Sequence, residues 1–316
     1  MNRPIALSHA SGPVAEALLE KLSESGFTPD SLVLLDDEMQ AGRRIAFGAA
    51  HLPVTDQRQA DLSQYPLLLL LQDDPQLAQM AQQQGCLVVS HAIDDDDSAL
   101  FVVADGAEPA LSYSASQVRL VGPEAACLLP ALTALDRFRR LASVQLTLLR
   151  SAAFYGSAGV EELASQTVSL LNARSIEARV YPQQIAFNLL TRDADARVAS
   201  DIAGFLANRC CPVTLQAVDV PVFHGLAVAL QLTFESNVEP EEAKRVLSGL
   251  DAVELTSAET ASLFDCNQSF GCAISHLHQA SDTPSNLQFW LSADPLRYGL
   301  ANNYVNVVDF LLKSFL

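Results

Sequence analysis

The sequence predicts an α/β fold in which an N-terminal Rossmann-like, dinucleotide-binding domain is joined to an α+β domain. Three observations carry this. The first third alternates short, continuous apolar runs with helical segments. Beyond Leu141 the pattern changes to longer segments of alternating polarity. With 316 residues, 49% of them hydrophobic, the chain can bury the cores of two domains that share a body. Continuous apolar strands spaced by helices mark a parallel sheet covered on both faces, because neither face of such a strand meets water.

Taken in order, Ile5 to Ser8 reads as a buried strand. A helix follows from Pro13 to Ser25, with Val14, Leu18, Leu19 and Leu22 on one face and Gly26 as its stop. Leu32 to Leu35 is a second strand, followed by a polar loop. Leu67 to Leu71 is a third strand, Leu77 to Gln84 a helix, and Cys86 to Val89 a fourth strand. Asp94 to Asp97 reads as a solvated acidic loop. In the second part, Ser143 to Arg150, Gln216 to Phe234 and Leu287 to Ala293 suit an antiparallel sheet with one face covered. Helices are expected at Ser157 to Leu171, Asp195 to Asn208 and Glu239 to Leu247. The last helix, Gly299 to Phe315, keeps Tyr304, Val308, Leu311 and Phe315 on one stripe.

A net charge of −18 argues against nucleic acid and anionic membrane surfaces as partners, since both attract basic patches. The longest aliphatic run, Leu67 to Leu71, falls far short of the ~20 residues that span a bilayer. Met1-Asn2-Arg3-Pro4 leads into a strand with no signal-peptide core, so a cytoplasmic location is expected. The six cysteines show no Cys-x-x-Cys spacing, which suits buried reduced thiols and predicts neither a disulfide framework nor a metal site.

The segment Gly122-Pro123-Glu124-Ala125-Ala126-Cys127 follows the apolar residues Val118, Leu120 and Val121 and opens a helix striped by Leu128, Leu132 and Leu135. Such a junction offers unpaired N–H groups and positive dipole, the setting that stabilises a thiolate. It resembles the strand-loop-helix of aspartate-semialdehyde dehydrogenases, which reads Asn-Pro-Asn-Cys-Ser-Thr. Three further segments resemble that family in the expected order: Gln184-Ile185-Ala186-Phe187-Asn188-Leu189-Leu190, Pro221-Val222-Phe223-His224-Gly225, and Ala293-Asp294-Pro295-Leu296-Arg297-Tyr298-Gly299-Leu300-Ala301-Asn302-Asn303. The resemblance covers nearly the whole chain and is closest to the divergent Usg-like branch, in which catalytic positions are substituted. It implies a nucleotide-binding domain over 1–125 with 299–316 returning to it, and a catalytic-like dimerisation domain over 126–298. It also implies a homodimer and NADP-dependent reductive dephosphorylation of aspartyl phosphate. In that chemistry a cysteine forms a thioester, a histidine acts as acid and base, and arginines hold the substrate's carboxylate and phosphate.

Tested one position at a time, the residues depart from that pattern. With Pro123 as anchor, Ala125 stands at the nucleophile position, and a methyl group forms no thioester. Cys127 is an alternative nucleophile, although two residues along a helix turn a side chain by roughly 200°, which favours a buried packing thiol. Leu226 occupies the histidine position; His224, two residues upstream, would share its face if the segment is extended. Asp219 stands where the carboxylate-binding arginine is expected, and Ser90-His91-Ala92-Ile93 replaces the phosphate loop. Arg297 matches a family arginine and is the remaining substrate-binding candidate.

The family's glycine-rich turn becomes His9-Ala10-Ser11-Gly12-Pro13-Val14-Ala15, keeping only the middle glycine. His9 at the first position is expected to compromise the tight turn. Ala10 to Val14 remain candidates for holding a pyrophosphate at the helix start. Asp36 and Asp37, followed by Glu38, would repel a 2′-phosphate and suit a ribose diol, which favours NAD over NADP. Two functions follow: a dimeric homologue serving binding or structural roles, and an active NAD-linked oxidoreductase on an aldehyde or oxo substrate. A third is pairing with a catalytic homologue as a heterodimer.

Overall fold

The computed structural model describes residues 4–92, 99–101, 116–193, 195–206, 210–256, 262–266, 269–279 and 283–314. The expected acidic loop at 94–97 and the helix end at Phe315 lie outside the described residues. The chain divides into two compact units, Met1–Ala126 with Gly299–Leu316, and Cys127–Tyr298.

The first unit is built on β1 (Ile5–Ser8), α1 (Pro13–Glu24), β2 (Leu32–Asp36), β3 (Arg44–Phe47), β4 (Ala50–Asp56), β5 (Leu67–Leu70), α2 (Pro75–Gln83), β6 (Leu87–Ser90), β7 (Ala99–Phe101) and β8 (Gln117–Leu120). Their order in the sheet is β3-β4-β2-β1-β5-β6-β8-β7, parallel throughout except between β3 and β4. The chain winds outward from β1 through β2, then returns to β5 on the other side. That reversal makes a topological switch point at the carboxyl ends of β1 and β5, the place where ligands of open parallel sheets bind. All four residues of β5 are fully buried, which explains the unbroken leucine run. Each such side chain contributes about 1.5–3 kcal/mol of burial. The expected polar loop after β2 is instead the β3–β4 hairpin, which turns at Gly48 (φ +56°). Only Phe47, Leu52 and Val54 of these strands are buried, too few to announce themselves in an otherwise polar stretch.

Helix α3 (Pro123–Phe138) carries the chain into the second unit. There follow β9 (Leu141–Arg150), α4 (Gly156–Leu171), β10 (Leu190–Arg192), α5 (Ala196–Phe205), β11 (Val213–Asp219), β12 (Leu226–Phe234), α6 (Pro240–Leu247), β13 (Val253–Leu255), α7 (Leu263–Cys266), β14 (Cys272–Gln279) and β15 (Asn286–Ala293). The sheet order is β10-β11-β9-β12-β15-β14-β13. It is mixed rather than antiparallel, because β11 runs parallel to β9 and β13 parallel to β14. The expected single segment 216–234 is two strands, separated by Pro221 and by Gly225 at φ +94°. Strand β12 is central and alternates strictly between buried and half-buried residues, so one face of the sheet meets the unit's core. A π-helical turn, Pro295–Ala301, precedes the C-terminal helix Asn302–Ser314.

Buried thiols and phenols give the fold an alkaline limit. Burial raises Cys86 and Cys272 from 9.0 to about 12, and Tyr181 from 10.0 to about 12. A raised folded pKa leaves stability intact below the unfolded value and removes it as the pH climbs toward the folded value. Stability measured by denaturant titration is therefore expected to be flat up to about pH 8.5 with respect to these groups. It should then fall through pH 9–12, by up to about 1.4 kcal/mol per pH unit per titrating group. Among the described residues, no helix is long and apolar enough to cross a membrane.

Candidate functional site

In the first unit the turn between β1 and α1 lies at this switch point. His9 adopts φ +52°, so a histidine takes the conformation usually left to glycine and the tight turn survives. Such a conformation is uncommon for a side chain-bearing residue, with histidine among the better tolerated. The Ala10 amide donates to the Leu35 carbonyl (3.1 Å), and Gly12 donates to the His9 carbonyl (3.4 Å). Gly12 is the N-cap of α1 and supplies no side-chain cap, while Pro13 at the first helical position has no N–H to satisfy. The second and third amides of α1, those of Val14 and Ala15, point out of the helix start by geometry.

Asp36, at the carboxyl end of β2, is buried, and its carboxylate is already engaged. Oδ2 accepts the Ser11 amide and Oδ1 accepts the Asp37 amide, both at 2.8 Å. The Ser11 amide therefore faces Asp36 rather than an incoming phosphate. Each Asp36 oxygen still has a second lone pair for a hydroxyl donor. Asp37 accepts from Gln57 Nε2 at 3.2 Å, and Asp37 and Glu38 are both exposed.

A second arrangement at the same sheet edge escaped the sequence. Tyr304, fully buried on the C-terminal helix, places its hydroxyl 2.9 Å from His91 Nδ1, directly after β6. The hydroxyl also accepts the His91 amide (3.2 Å) and donates to the Leu70 carbonyl (3.2 Å). Burial raises the Tyr304 pKa further, keeping the hydroxyl protonated.

Ala125, in the first turn of α3, is fully buried, as is Cys127 in the same helix. Arg297 pairs with Asp294 at 3.7 Å, and its amide donates to the Asp294 carboxylate at 3.2 Å; that carboxylate starts the π-helical turn. Leu226 begins β12, is 2% exposed, and pairs in register with Arg150 on β9 and Ala293 on β15. His224 does not share its strand face: it is exposed and lies ahead of the strand, because Gly225 in the left-handed region breaks the alternation.

Asp219 ends β11, and its register partner on β9 is again Arg150. Two residues that the sequence did not single out surround it. Arg192 Nε donates to Asp219 Oδ2 at 2.8 Å, and the Tyr155 hydroxyl donates to the same oxygen at 2.8 Å. A buried carboxylate is tolerable when paired and hydrogen-bonded in this way. Among the described residues, no group of three or more histidine, cysteine or acidic side chains is placed to hold a metal ion.

Residues 133–298 match the family model described as semialdehyde dehydrogenase, dimerisation domain. The USG-1 protein homolog of Pseudomonas aeruginosa is 28% identical over 340 residues, with both chains covered completely. Aspartate-semialdehyde dehydrogenase 2 of Vibrio cholerae is 25% identical over 331 residues, covering 98% of each chain. Among solved structures, a probable aspartate-semialdehyde dehydrogenase from Pseudomonas aeruginosa superposes with a TM-score of 0.90 at 26% identity, over 100% of both chains. The Vibrio cholerae enzyme II complexed with ASA shares the fold, with a TM-score of 0.87 at 23% identity over 100% of both chains. With the family model spanning more than half its length, the chain belongs to the semialdehyde dehydrogenase family.

Proposed function

We propose that this chain is a divergent family member retained as a dimeric binding or structural protein, without aspartyl-phosphate reductase activity. One observation carries the reading: a buried methyl group at Ala125 and a buried leucine at 226 supply neither nucleophile nor proton carrier. Asp219, buried in the second unit, puts negative charge at the position where the resemblance expects an arginine for the substrate carboxylate. Cys127 and His224 are poor replacements, the first fully buried and the second exposed outside the strand. The division of labour proposed is nucleotide binding by 1–125 with 299–316, and pairing by 126–298.

The first unit suits a nicotinamide dinucleotide lacking a 2′-phosphate. Asp36 would accept from a ribose hydroxyl, the open start of α1 would face the pyrophosphate, and exposed Asp37 and Glu38 would repel an added phosphate. Bound there, such a group would supply hydride transfer. NAD is therefore favoured over NADP. A second reading, an active NAD-linked oxidoreductase on an aldehyde or oxo substrate, draws on one further observation: His91 is held at this sheet edge by Tyr304.

Pairing is proposed through the open face of the second sheet. Gln145, Gln231 and Gln288 stand in register on β9, β12 and β15, and with Gln216, His278 and Trp290 they line a groove of about 510 Å³. This stretch of surface carries no Asp, Glu, Lys or Arg in a chain with 37 acidic residues, as the centres of protein interfaces do. The occupant proposed is a second copy; a catalytic homologue would compete for the same face. A cytoplasmic location is part of the same reading, supported by cysteine spacing that suits no disulfide framework.

The test is an assay of purified protein with aspartate semialdehyde, phosphate and either NAD or NADP, beside calorimetry with each nucleotide. The expected result is no reduced nucleotide above background, with NAD binding at least about tenfold tighter than NADP. Turnover at ordinary enzyme rates (about 1 per second or more) would overturn the first reading. Absence of binding at millimolar NAD would sink the second.

A further inference from the structure

Asp219 sits at the end of a strand whose core-facing neighbour is Ala217, yet it is only 1% exposed. Its two donors come from separate elements. Arg192 is on β10, and Tyr155 lies in the short helical turn between β9 and α4. Both donate to Oδ2; Oδ1 is buried and has no hydrogen-bond partner. The donors also support each other. The Arg192 guanidinium lies 5.6 Å over the Tyr155 ring, and that ring meets Tyr181 edge-on at 5.1 Å. Two cations, Arg150 and Arg192, act on Tyr155 opposite Asp219, and a second carboxylate, Glu162, acts on Tyr181. One side is open: the Arg192 side chain is 30% exposed, and Phe154, stacked 4.2 Å under Arg150, is 44% exposed.

A guanidinium and a hydroxyl converging on one carboxylate oxygen, with a second cation nearby, form a carboxylate receptor. What occupies the receptor here is part of the same chain. We propose that Arg192 and Tyr155 form a carboxylate-binding site which Asp219 fills from within, so that the native chain takes no external carboxylate there. Asp219 fills the site incompletely, with one oxygen serving both donors and the other none.

Deleting the tethered occupant should open the site to a free one. Asp219→Ala removes the carboxylate and leaves room beside Arg192 that acetate, its closest small equivalent, can fill. The expected result is a lowered melting temperature that acetate restores saturably in the millimolar range, about tenfold more effectively than chloride at equal ionic strength. Wild-type protein and Asp219→Ala combined with Arg192→Ala should show no such response. Lack of an acetate-specific effect in Asp219→Ala overturns the proposal. So does an equal effect in the double variant, or saturable acetate binding by the wild type at Arg192.

If Asp219→Ala does not fold, Asp219→Asn keeps the volume and removes the charge. Burial first, and then the Asp219 carboxylate, raise the Tyr155 and Tyr181 pKa values. In Asp219→Asn both phenols should ionise at lower pH than in the wild type, followed by absorbance at 295 nm; an unchanged titration overturns the proposal. Carboxylate binding is read here without turnover, so a chain that proved catalytically active would leave these outcomes unchanged.

Discussion

Replacing Glu162 by alanine is expected to destabilise the second unit by about 3–5 kcal/mol, the largest effect of any single polar substitution considered for it. Glu162 lies on α4 and is 9% exposed. Its carboxylate accepts the amides of Arg179 (3.0 Å), Val180 (2.6 Å) and Tyr181 (3.4 Å), and the Gln166 side-chain amide at 2.9 Å. Gln166, one turn further along the helix, accepts the amides of Ile185 and Ala186 at 2.9 and 3.2 Å. Two side chains thus hold a loop that has no strand partner of its own. Deleting the carboxylate strands three backbone donors, each costing about 1–3 kcal/mol where water cannot reach, and frees Gln166 to turn away.

The contacts under this loop, Leu163, Tyr181, Ile185 and Ala186 in one apolar cluster, would loosen with it. Denaturant midpoints report the loss, and hydrogen exchange should show faster exchange at Val180, Tyr181, Ile185 and Ala186. Glu161→Ala, on the neighbouring exposed residue, should change stability by less than about 0.5 kcal/mol. A Glu162→Ala protein as stable as the wild type would show that the loop is held by its apolar contacts alone.

The legible parts of this fold were those where burial is two-sided. β5 is leucine throughout because both its faces are covered, and α1 is bracketed by Pro13 and Gly26. The illegible parts are half-exposed or irregular. β3 and β4 bury few residues, and β14 carries a register shift between Ser275 and His278, with His276 at φ +53°. Such a strand loses its period of two, the one signal that a sequence can offer for it.

The candidate site divides along the same line. The strand-turn-helix unit that carries Ser11, Gly12 and Asp36 was readable as a unit, because its parts lie within 25 residues, but the Ser11–Asp36 hydrogen bond was not. His91 with Tyr304 and Asp219 with Tyr155 were not, since 213 and 64 residues separate the partners and no local pattern links them. Arg192 lies two residues beyond the Gln184–Leu190 motif, and only the β10–β11 pairing brings it to Asp219.

Placing one charge at the centre of the open sheet face is expected to separate the proposed dimer. Gln231 is the choice because it lies on the central strand, flanked in register by Gln145 and Gln288. In a two-fold assembly each patch meets its own copy, so Gln231→Arg brings two like charges into a shared, water-poor surface. An uncompensated buried charge costs about 3–5 kcal/mol, which raises the dimer Kd by roughly two to four orders of magnitude. Sedimentation velocity at micromolar concentration should show a monomer, with unchanged far-UV circular dichroism because the side chain faces out of the core. Val168→Arg, on an exposed helical residue that does not line this groove, should leave the dimer intact. Trp290→Ala should weaken it less, by about 2 kcal/mol, as loss of a half-exposed aromatic anchor does. A Gln231→Arg protein that stays dimeric at nanomolar concentration would move the pairing surface elsewhere. The neutral glutamine ladder would then need another occupant.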